Sequence, residues 1–444
     1  MKCAIFCSMM AMSALATPQI SNVTAEQNPK TGLVEISYML SEDAVVTFDD
    51  LLVGGVSLGP SNVTSYAGHV SVKVKGGDNV VRKIVWNAPK DVPGRDFDGT
   101  LTAKLTAWPL SSPPNYLVVD LDLLDATNFF FYASEANLPD GGITSDVYRT
   151  TKLLLRKIPA AGVVFRMGDV SDTSAVRFAE HYEKFEADWY CSVFHLTQGQ
   201  YAQVISTTLP STSNCKPHSS DMPICGISYD DLRGTNGWPE AGHAVTPGSV
   251  IGKFRTRTGL MLDLPTDAQW EYSCRAGTSS RFHNGSSETG KALDIGWYSW
   301  YNKDTQTYSG NATGELHRAG VKLPNKWGLY DMHGQTFVWC LDWAAGNDDW
   351  QSDDNAWFHH DYNGPRQQVT VGGKTVWVNV DPAGPASTGK TAVSGAAYTT
   401  RAVRGGGCAN GVNNAYSHFR HNLKPTTINL GYSGARFVCP VPAL

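Results

Sequence analysis

Short runs in which hydrophobic and polar residues alternate fill the first quarter of the chain. The run VEISYML (34–40) places its valine, isoleucine, tyrosine and leucine on one face, and HVSVKVKGGD (69–78) and TLTAKLTAW (100–108) repeat the pattern. Alternation with a period of two, interrupted by turn residues, is typical of strands with one buried face. We therefore predict an all-β sandwich over residues 17–110, with Trp86 in its core.

Helical signals begin near residue 197. Thr197 stands three residues before Gln200, and Thr266 stands three residues before Gln269. This spacing is that of a capping box, in which both side chains bond to the backbone of the first helical turn. The segment TPGSVIGKFRTRTG predicts a further helix between them, because its final glycine is placed to end one. The sequence therefore predicts three short helices in this region.

Residues 111–162 separate the two regions. SSPPN (111–115) contains adjacent prolines, which stiffen the chain and interrupt regular structure. YLVVDLDLL (116–124) predicts one more strand after this break. We interpret 111–162 as a connector and place the second domain at 163–444.

The composition fits a folded protein of two domains. The 444 residues are 41% hydrophobic and 17% charged, which is typical of globular chains, and the length exceeds what one ordinary core holds. Thirteen tryptophans and 43 glycines favour irregular loops pinned by large rings over long helices. The formal charge of −5 and the pI near 6.2 provide no basic surface, so we expect no nucleic-acid partner.

The first sixteen residues, MKCAIFCSMMAMSALA, predict a secretory signal peptide. They combine an early lysine, an apolar run and a small-x-small ending, with cleavage expected after Ala16. A later segment of roughly 20 apolar residues, which a membrane span needs, is not found in the sequence. We therefore expect a protein without a membrane span that is secreted, periplasmic or displayed at the cell surface.

Export makes disulfide bonds plausible, because they persist in oxidising compartments. The cysteines beyond the signal peptide are Cys191, Cys215, Cys225, Cys274, Cys340, Cys408 and Cys439. Cys215 and Cys225 flank a loop rich in proline and serine, and we predict that they pair. Cys274 and Cys340 are interpreted as small buried hydrophobic residues. The odd total leaves at least one thiol unpaired within the chain.

Three segments then carry a family resemblance. They are LPTDAQWEYSCRAG (264–277), KLPNKWGLYDMHGQTFVWCLDW (322–343) and the C-terminal RAVRGGG…GARFV (401–438). Together they resemble the formylglycine-generating enzymes, also called sulfatase-modifying factors. The resemblance implies that 163–444 adopts the α+β formylglycine-generating variant of the C-type lectin fold. The preceding β-sandwich is similar to immunoglobulin-like or fibronectin type III-like modules.

The resemblance also implies a chemistry that this chain does not fully match. Active relatives convert a client cysteine of a sulfatase to formylglycine with molecular oxygen, and two neighbouring thiolates hold Cu(I), a soft ion that prefers sulfur. Here Cys408 is the weak catalytic candidate, and Ala415 occupies the position where relatives commonly carry the second cysteine. We therefore expect neither bound copper nor oxidase activity. The alternative is a copper-dependent oxidase in which another thiol assists Cys408.

Calcium is a second cofactor that the resemblance implies. The family loop runs G-N-V/A-W-E-W, whereas this chain reads GQTFVW, with Val338 in place of the glutamate. Calcium takes six to eight oxygen ligands, so the loss of a carboxylate weakens such a site. The remaining candidate ligands are Asp331 with the carbonyls of Gly334 and Thr336, while Asp294 is a candidate for a second site. The competing interpretation is that both aspartates only stabilise turns.

Two loops are candidates for a contact surface. The candidate residues are Asn410, Asn413, Asn414, Tyr416, His418 and Arg420 in the C-terminal segment, and Trp350 and Trp357 in the insertion 348–365. Aromatic and short polar side chains together are typical of surfaces that bind glycans or peptides. We therefore predict a ligand-binding or surface structural module whose partner is an unidentified protein, peptide or glycan. The same rings would equally serve a core, and a wall-associated adhesin built of two spacers remains open.

A further branch of this fold contains non-haem iron sulfoxide synthases. These need an upstream helical domain with a histidine-rich iron site, whereas this chain predicts a β-sandwich there. The only candidate segment, AEHYEKFEADWY, contains His181 without a spaced second histidine. We interpret this segment as a solvated charged face.

Overall fold

The computed structural model of the protein describes residues 17–123, 128–169, 180–206, 208–210, 216–235, 237–302, 307–345, 365–384, 398–428 and 432–444. Within these ranges the chain is rich in β-strands and has few helices. It divides into two compact units between Pro114 and Asn115.

The first unit consists of two small sheets. Its strands are β1 (Ile20–Gln27), β2 (Val34–Leu40), β3 (Ala44–Val53), β4 (Val56–Ser57), β5 (Tyr66–Gly68), β6 (Lys73–Val74), β7 (Arg82–Trp86) and β8 (Leu101–Trp108), with one helical turn, α1 (Ala88–Asp91). One sheet has the order β1-β2-β7-β5. The other has the order β4-β3-β6, and β8 pairs with β3.

The two sheets of the first unit share one hydrophobic core. The alternate residues of β2 are buried as the sequence pattern predicted, and Trp86 is fully buried at the end of β7. The indole nitrogen of Trp86 donates a hydrogen bond to Asp91 Oδ2 over 2.8 Å, so this ring is satisfied as well as packed. The run at 69–78 forms a much shorter strand than its alternation predicted, because only Lys73 and Val74 pair with β3.

The described residues of the second unit form five sheets. Its strands are β9 (Tyr116–Asp120), β10 (Phe129–Tyr132), β11 (Lys152–Ile158), β12 (Val164–Met167), β13 (His181–Lys184), β14 (Trp189–Ser192), β15 (Gly296–Trp297), β16 (Ser299–Asn302), β17 (Thr307–Gly310), β18 (His333–Gly334), β19 (Phe337–Ala345), β20 (Arg366–Val371), β21 (Lys374–Val380), β22 (Tyr398–Arg404), β23 (Arg420–Leu423), β24 (Ser433–Gly434) and β25 (Val438–Pro440). The sheet orders are β10-β9-β11-β14-β25, β12-β13-β21-β20, β15-β18, β16-β17 and β23-β22-β19-β24.

In the part of the second unit that the structure describes, five short helices accompany these sheets: α2 (Val147–Thr150), α3 (Gln198–Val204), α4 (Tyr229–Arg233), α5 (Val250–Thr258) and α6 (Asp267–Arg275). The predicted capping boxes are confirmed at α3 and α6, where Thr197 and Thr266 each accept from the backbone of the third helical residue. Gly259 ends α5 in the left-handed conformation, as predicted. Sequence reasoning missed α2 and α4.

The predicted connector at 111–162 is largely wrong. Strands β9 and β11 lie inside the five-stranded sheet, where β11 pairs with both β9 and β14. Because β14 pairs in turn with the C-terminal strand β25, residues from Asn115 onward belong to the core of the second unit. Local alternation identified one of these strands, but it carries no information about partners distant in the sequence.

Two sequence predictions lie outside the described residues. These are the signal peptide at 1–16 and the aromatic insertion with Trp350 and Trp357, and both stay predictions. Among the helices of the described ranges, none combines the length and apolar character that crossing a bilayer requires.

Candidate functional site

A tight turn after β22 positions Cys408. Gly405 and Gly406 adopt φ values of 92° and 76°, a left-handed backbone that glycine reaches without strain. The Cys408 amide then donates to the Gln335 carbonyl over 2.8 Å, and the Ser299 hydroxyl donates to the Cys408 carbonyl over 2.7 Å. Hydrogen bonds from two other segments to its main chain therefore hold this cysteine in place.

The Cys408 thiol is closed off from solvent. It is fully buried in a small apolar cluster with Cys225, Ala312 and Leu316. Burial raises the pKa of the thiol to about 12, because the thiolate would lose its hydration. A thiol in this setting is protonated at neutral pH and is a poor nucleophile and metal ligand.

The other cysteines do not supply the missing sulfur. Cys225 is disulfide-bonded, and its predicted partner Cys215 lies outside the described residues, so that pairing stays a prediction. Elsewhere in the described residues, the free cysteines are Cys191, Cys274, Cys340 and Cys439, all buried. Burial raises the pKa of each. The interpretation of Cys274 and Cys340 as buried residues is confirmed. Among the described residues, no second free thiol joins the Cys408 cluster.

Ala415 also takes a structural position. It is buried, and its carbonyl accepts a hydrogen bond from His333 Nδ1 over 2.5 Å. The neighbouring His283 amide donates to Nε2 of the same imidazole over 3.2 Å. Both nitrogens of His333 are therefore engaged, and the segment around Ala415 is attached to the core by a hydrogen bond to its main chain.

The predicted contact residues of the C-terminal segment divide by burial. Asn413 is exposed, Asn410 and Asn414 are half-buried, and Tyr416, His418 and Arg420 are buried. The Tyr416 hydroxyl donates to Asn413 Oδ1 over 2.7 Å, and its ring lies 5.3 Å from that of Phe282. The structure therefore leaves the three asparagines as the accessible part of this predicted surface.

Arg420 belongs to a buried ionic network, so its assignment as a surface contact is wrong. Its Nη2 atom lies 2.5 Å from Asp267 Oδ2, and Arg404 approaches the same carboxylate. The arginines hold the pKa of Asp267 well below its usual range despite complete burial. Asp342, which accepts from the Asp267 amide over 2.6 Å, has its pKa raised by burial and by the Asp267 charge. The network therefore favours the ionised form of Asp267 and the protonated form of Asp342.

The sequence comparisons agree with this architecture. A model of the sulfatase-modifying factor enzyme 1-like domain matches residues 156–439, well over half of the chain. The chain belongs to this family. The match begins inside β11, which agrees with the correction to the predicted connector.

Two curated relatives match parts of the chain. Formylglycine-generating enzyme from Thermomonospora curvata is 30% identical over 129 residues, which are 25% of this chain and 37% of the relative. Chaperone protein LppX from Paenibacillus barcinonensis is 29% identical over 92 residues, which are 18% of this chain and 31% of the relative. The chain thus spans about a third of the length of the curated relatives it matches.

Solved structures align with a larger share of the chain than the curated relatives do, at lower sequence identity. Treponema denticola variable protein 1 aligns with a TM-score of 0.43 at 18% identity, over 65% of this chain and 96% of its own. PvdO from Pseudomonas aeruginosa aligns with a TM-score of 0.42 at 16% identity, over 65% of this chain and 94% of its own.

The described residues do not fit the calcium site that family resemblance implied. Asp331 Oδ2 accepts from the Gly320 amide over 2.6 Å, and Arg149 and Arg436 act on the same buried carboxylate. The Thr336 hydroxyl is hydrogen-bonded to His195 Nδ1 at 2.7 Å. Two nearby guanidinium groups disfavour a divalent cation. Within the described ranges, no group of three acidic, histidine or cysteine side chains is placed to hold a metal.

The other residues predicted to bind calcium are Asp294 and Gly334. Asp294 is exposed at the end of a short 3-10 helix, and its carbonyl accepts from the Leu323 amide over 2.9 Å. Gly334 has a structural role, because a Cβ atom there would lie 1.9 Å from the Trp297 carbonyl oxygen. Gln335, in the position of the family asparagine, donates to and accepts from the His317 backbone, at 2.8 and 3.1 Å. These two hydrogen bonds from the Gln335 side chain to the His317 main chain hold the loop around Gln335 in place.

The interpretation of the His181 segment as a solvated face is wrong. Glu183 in β13 is fully buried, accepts from Asn379 Nδ2 over 3.1 Å and lies 3.1 Å from His181 Nε2. Alternation in a short strand could have indicated that Glu183 points inward, but its charge argued against burial.

Proposed function

We propose that this family member is an exported bacterial protein that acts as a ligand-binding or surface structural module and carries no copper-dependent oxidase activity. The finer architecture belongs to the same proposal: an immunoglobulin-like or fibronectin type III-like first domain, and a C-type-lectin-like second domain. The unidentified ligand is a protein, a peptide or a glycan.

The observation that carries the proposal is the closed environment of Cys408. Oxidation of a client cysteine requires a thiolate pair that reaches both the metal and the client. Here the thiol is fully buried among apolar side chains, and burial raises its pKa to about 12. Cys225 lies in the same cluster, and its sulfur is in a disulfide bond and so offers no thiolate.

Ala415 and Val338 support the same conclusion from two other positions. Neither side chain is able to ligate a metal, and both are buried with about 1% of their surface exposed. Buried apolar side chains at both positions pack as core, so reopening either site requires repacking as well as new ligands.

The deciding experiment is a conversion assay. The purified full chain is loaded with Cu(I) and incubated in air with a peptide that carries a sulfatase motif, and the peptide mass is then measured. We expect no mass change that corresponds to formylglycine. Cys408→Ser and Cys439→Ser are matched variants, because both remove a buried thiol but only the first lies in the predicted segment.

Conversion that disappears in Cys408→Ser and persists in Cys439→Ser would overturn the proposal and establish the oxidase. Conversion that is equal in all three proteins would point to oxidation by oxygen with free copper as the catalyst, and the proposal would stand. Export is tested separately, by the N-terminal sequence of the protein recovered from its host, where cleavage after Ala16 is expected.

A further inference from the structure

Strand β20 is the outer strand of its sheet among the described residues. The sheet order is β12-β13-β21-β20, and the register of β20 with β21 runs from Arg366 to Val371 without a shift. Each of its six residues is exposed or half-buried. An outer strand presents a row of main-chain N–H and C=O groups, so it is able to pair with a strand of another chain.

The features by which proteins usually block such an edge are missing from β20. Proline, lysine and β-bulges are common protections. The sequence RQQVTV of β20 contains neither proline nor lysine, and its register is regular. Its one charged residue, Arg366, lies over the Trp377 ring, with its guanidinium carbon 5.3 Å from the ring centroid. By contrast, β1 is a long outer strand whose register is interrupted between Ser21 and Thr24.

The turn between β20 and β21 decides which main-chain groups face the open edge. The two glycines at 372–373 have φ values of 57° and 78°, and a two-residue type I′ turn requires positive φ at both positions. The pair that closes such a hairpin, here Val371 with Lys374, is hydrogen-bonded, and bonded and non-bonded pairs then alternate. The Val380 amide donates to the Pro365 carbonyl over 2.9 Å, in the same phase. Alternate residues of β20 thus turn their main-chain groups towards β21, and the residues between them turn theirs outward.

The outward-facing residues, which are Arg366, Gln368 and Thr370, match those of a second copy of the chain. When two β20 strands run antiparallel with Gln368 opposite its own counterpart, Arg366 lies opposite Thr370 of the second copy. Each of these pairs is then of the hydrogen-bonded kind, and roughly six main-chain hydrogen bonds form. The two Arg366 side chains are not opposite each other, so like charges do not oppose this register.

Trp377 supplies an apolar contact in the same arrangement. Its side chain is 54% exposed, and it lies opposite Gln368 in the register of the hairpin. In the paired sheet, the two Gln368 side chains lie side by side between the two Trp377 rings, in one row across the strands. The methylene groups of Gln368 would cover part of each indole, which removes apolar surface from water.

We propose that two copies of this chain associate through β20, so that two four-stranded sheets become one continuous sheet. The contact is confined to one strand and its neighbour, and interfaces of this small size are typically weak and transient. A dissociation constant in roughly the micromolar range is therefore expected. The inference goes beyond the proposed function and does not rest on it.

Sedimentation equilibrium of the full chain tests the association. Between about 1 and 100 µM, the average mass is expected to rise from that of one chain towards twice that value. Gln368→Pro removes the central outward N–H group and leaves the bonds to β21 in place, because proline is tolerated at such positions of outer strands. This variant should associate at least about tenfold more weakly, whereas Gln368→Thr, which keeps the N–H group, should stay within about threefold of the wild type.

Two results of this experiment would overturn the proposal. One is the mass of a single chain at every concentration of the wild type. The other is association that is as strong in Gln368→Pro as in Gln368→Thr, because the contact would then lie outside the edge of β20.

Cross-linking locates the two-fold axis independently of affinity. In Gln368→Cys the two introduced thiols lie opposite each other, with Cα atoms about 5.5 Å apart, a distance that a disulfide spans. Thr375→Cys is the matched control, because it is exposed on the same hairpin but lies three strand spacings, about 14 Å or more, from its counterpart. Under mild oxidation, only Gln368→Cys should form a covalent dimer. Equal cross-linking of both variants, or none in either, would overturn the assignment of β20 as the contact.

Discussion

Asp267 and Arg404 form a bidentate ion pair in the interior of the second unit. Arg404 Nε lies 2.5 Å from Asp267 Oδ1, and Arg404 Nη2 lies 2.8 Å from Asp267 Oδ2. Asp267 is the first residue of α6, and Arg404 is the last residue of β22, so the pair joins two of the segments that identify the family. Arg420 completes the site from β23.

Replacement of Asp267 by asparagine should destabilise the protein strongly. Two buried arginines would lose their shared counter-charge, and breaking a buried pair in this way costs about 3–5 kcal/mol. The free energy of unfolding is measured by urea denaturation at pH 7. Asp294→Asn, at an exposed position, should change it by less than ~0.5 kcal/mol. A change of the same size in both variants would contradict the structural role of the pair.

The same pair predicts a pH dependence. The arginines hold the folded-state pKa of Asp267 below its ordinary value of 3.8. An acid with a lowered folded-state pKa contributes stability that is fully present above the unfolded pKa and is lost as the pH falls through the folded one. The wild type should therefore lose stability below pH 3.8 more steeply than Asp267→Asn. The urea midpoints of the wild type and of Asp267→Asn are measured across this pH range. If Asp267 were not ionised, the two curves would be parallel.

His283 should make the protein sensitive to milder acid. Burial lowers its pKa from 6.5 to about 4, so between these values the unfolded chain binds a proton that the folded chain does not. Stability should fall by about 1.4 kcal/mol per pH unit as the pH drops through this window. In the His283→Gln variant, the loss of stability per pH unit should be smaller by about 1.4 kcal/mol. The main-chain amide at this position still donates to His333 in the variant. An unchanged slope would show that His283 is accessible to protons.

Gly334→Ala should be more damaging than another glycine substitution with a similar backbone. At Gly334, with φ of 89°, a Cβ atom would lie 1.9 Å from the Trp297 carbonyl oxygen. At Gly373, with φ of 78°, nothing lies within 4 Å of a Cβ atom. We expect about 1 kcal/mol of lost stability at Gly373 and at least about 3 kcal/mol at Gly334. Equal losses in thermal unfolding would mean that β15 and β18 separate readily.

Cys408 should resist alkylation. Because its thiol is buried and its pKa is raised to about 12, we expect iodoacetamide at pH 8 to modify it at least about 100-fold more slowly than a cysteine in a short peptide. Peptide mapping by mass spectrometry identifies the labelled site, and labelling in urea serves as the control for reactivity of the unfolded chain. Rapid modification of the folded protein would show an open pocket above Cys408.

Calcium should leave the stability of the protein unchanged. A specific ion at 100 times its dissociation constant stabilises the folded state by about 2.7 kcal/mol, which is readily seen in thermal unfolding. The surroundings of Asp331 and Thr336 do not fit such an ion, so melting curves with calcium or with a chelator should coincide. If calcium raised the midpoint of thermal unfolding by the same amount in the wild type and in Asp331→Asn, the calcium site would lie elsewhere in the chain.

Elements whose determinants are local were predictable from the sequence. The alternation in β2 places its buried face correctly, and the threonine–glutamine spacing marks the first turns of α3 and α6. The motif order identified the family. These features follow from backbone geometry within a few residues, which is the range over which a sequence pattern carries direct information.

Positions defined by distant partners could not be predicted in this way. The aromatic and polar side chains around Arg420 predict a contact surface, yet Asp267, 153 positions away in the sequence, holds Arg420 in the interior. Glu183 was expected in solvent and is buried beside Asn379. The cost of burying each charge is offset only by partners that folding brings together.

The sequence by itself determined the family, the β-rich character of the first unit and the capped helices. Only the tertiary structure decided that Cys408 is closed off, that Arg420 is internal and that β20 is the outer strand of its sheet among the described residues. The reason is physical: hydrogen-bonding patterns and side-chain types act locally along the chain, whereas burial, pKa and strand order depend on atoms that are neighbours only after folding.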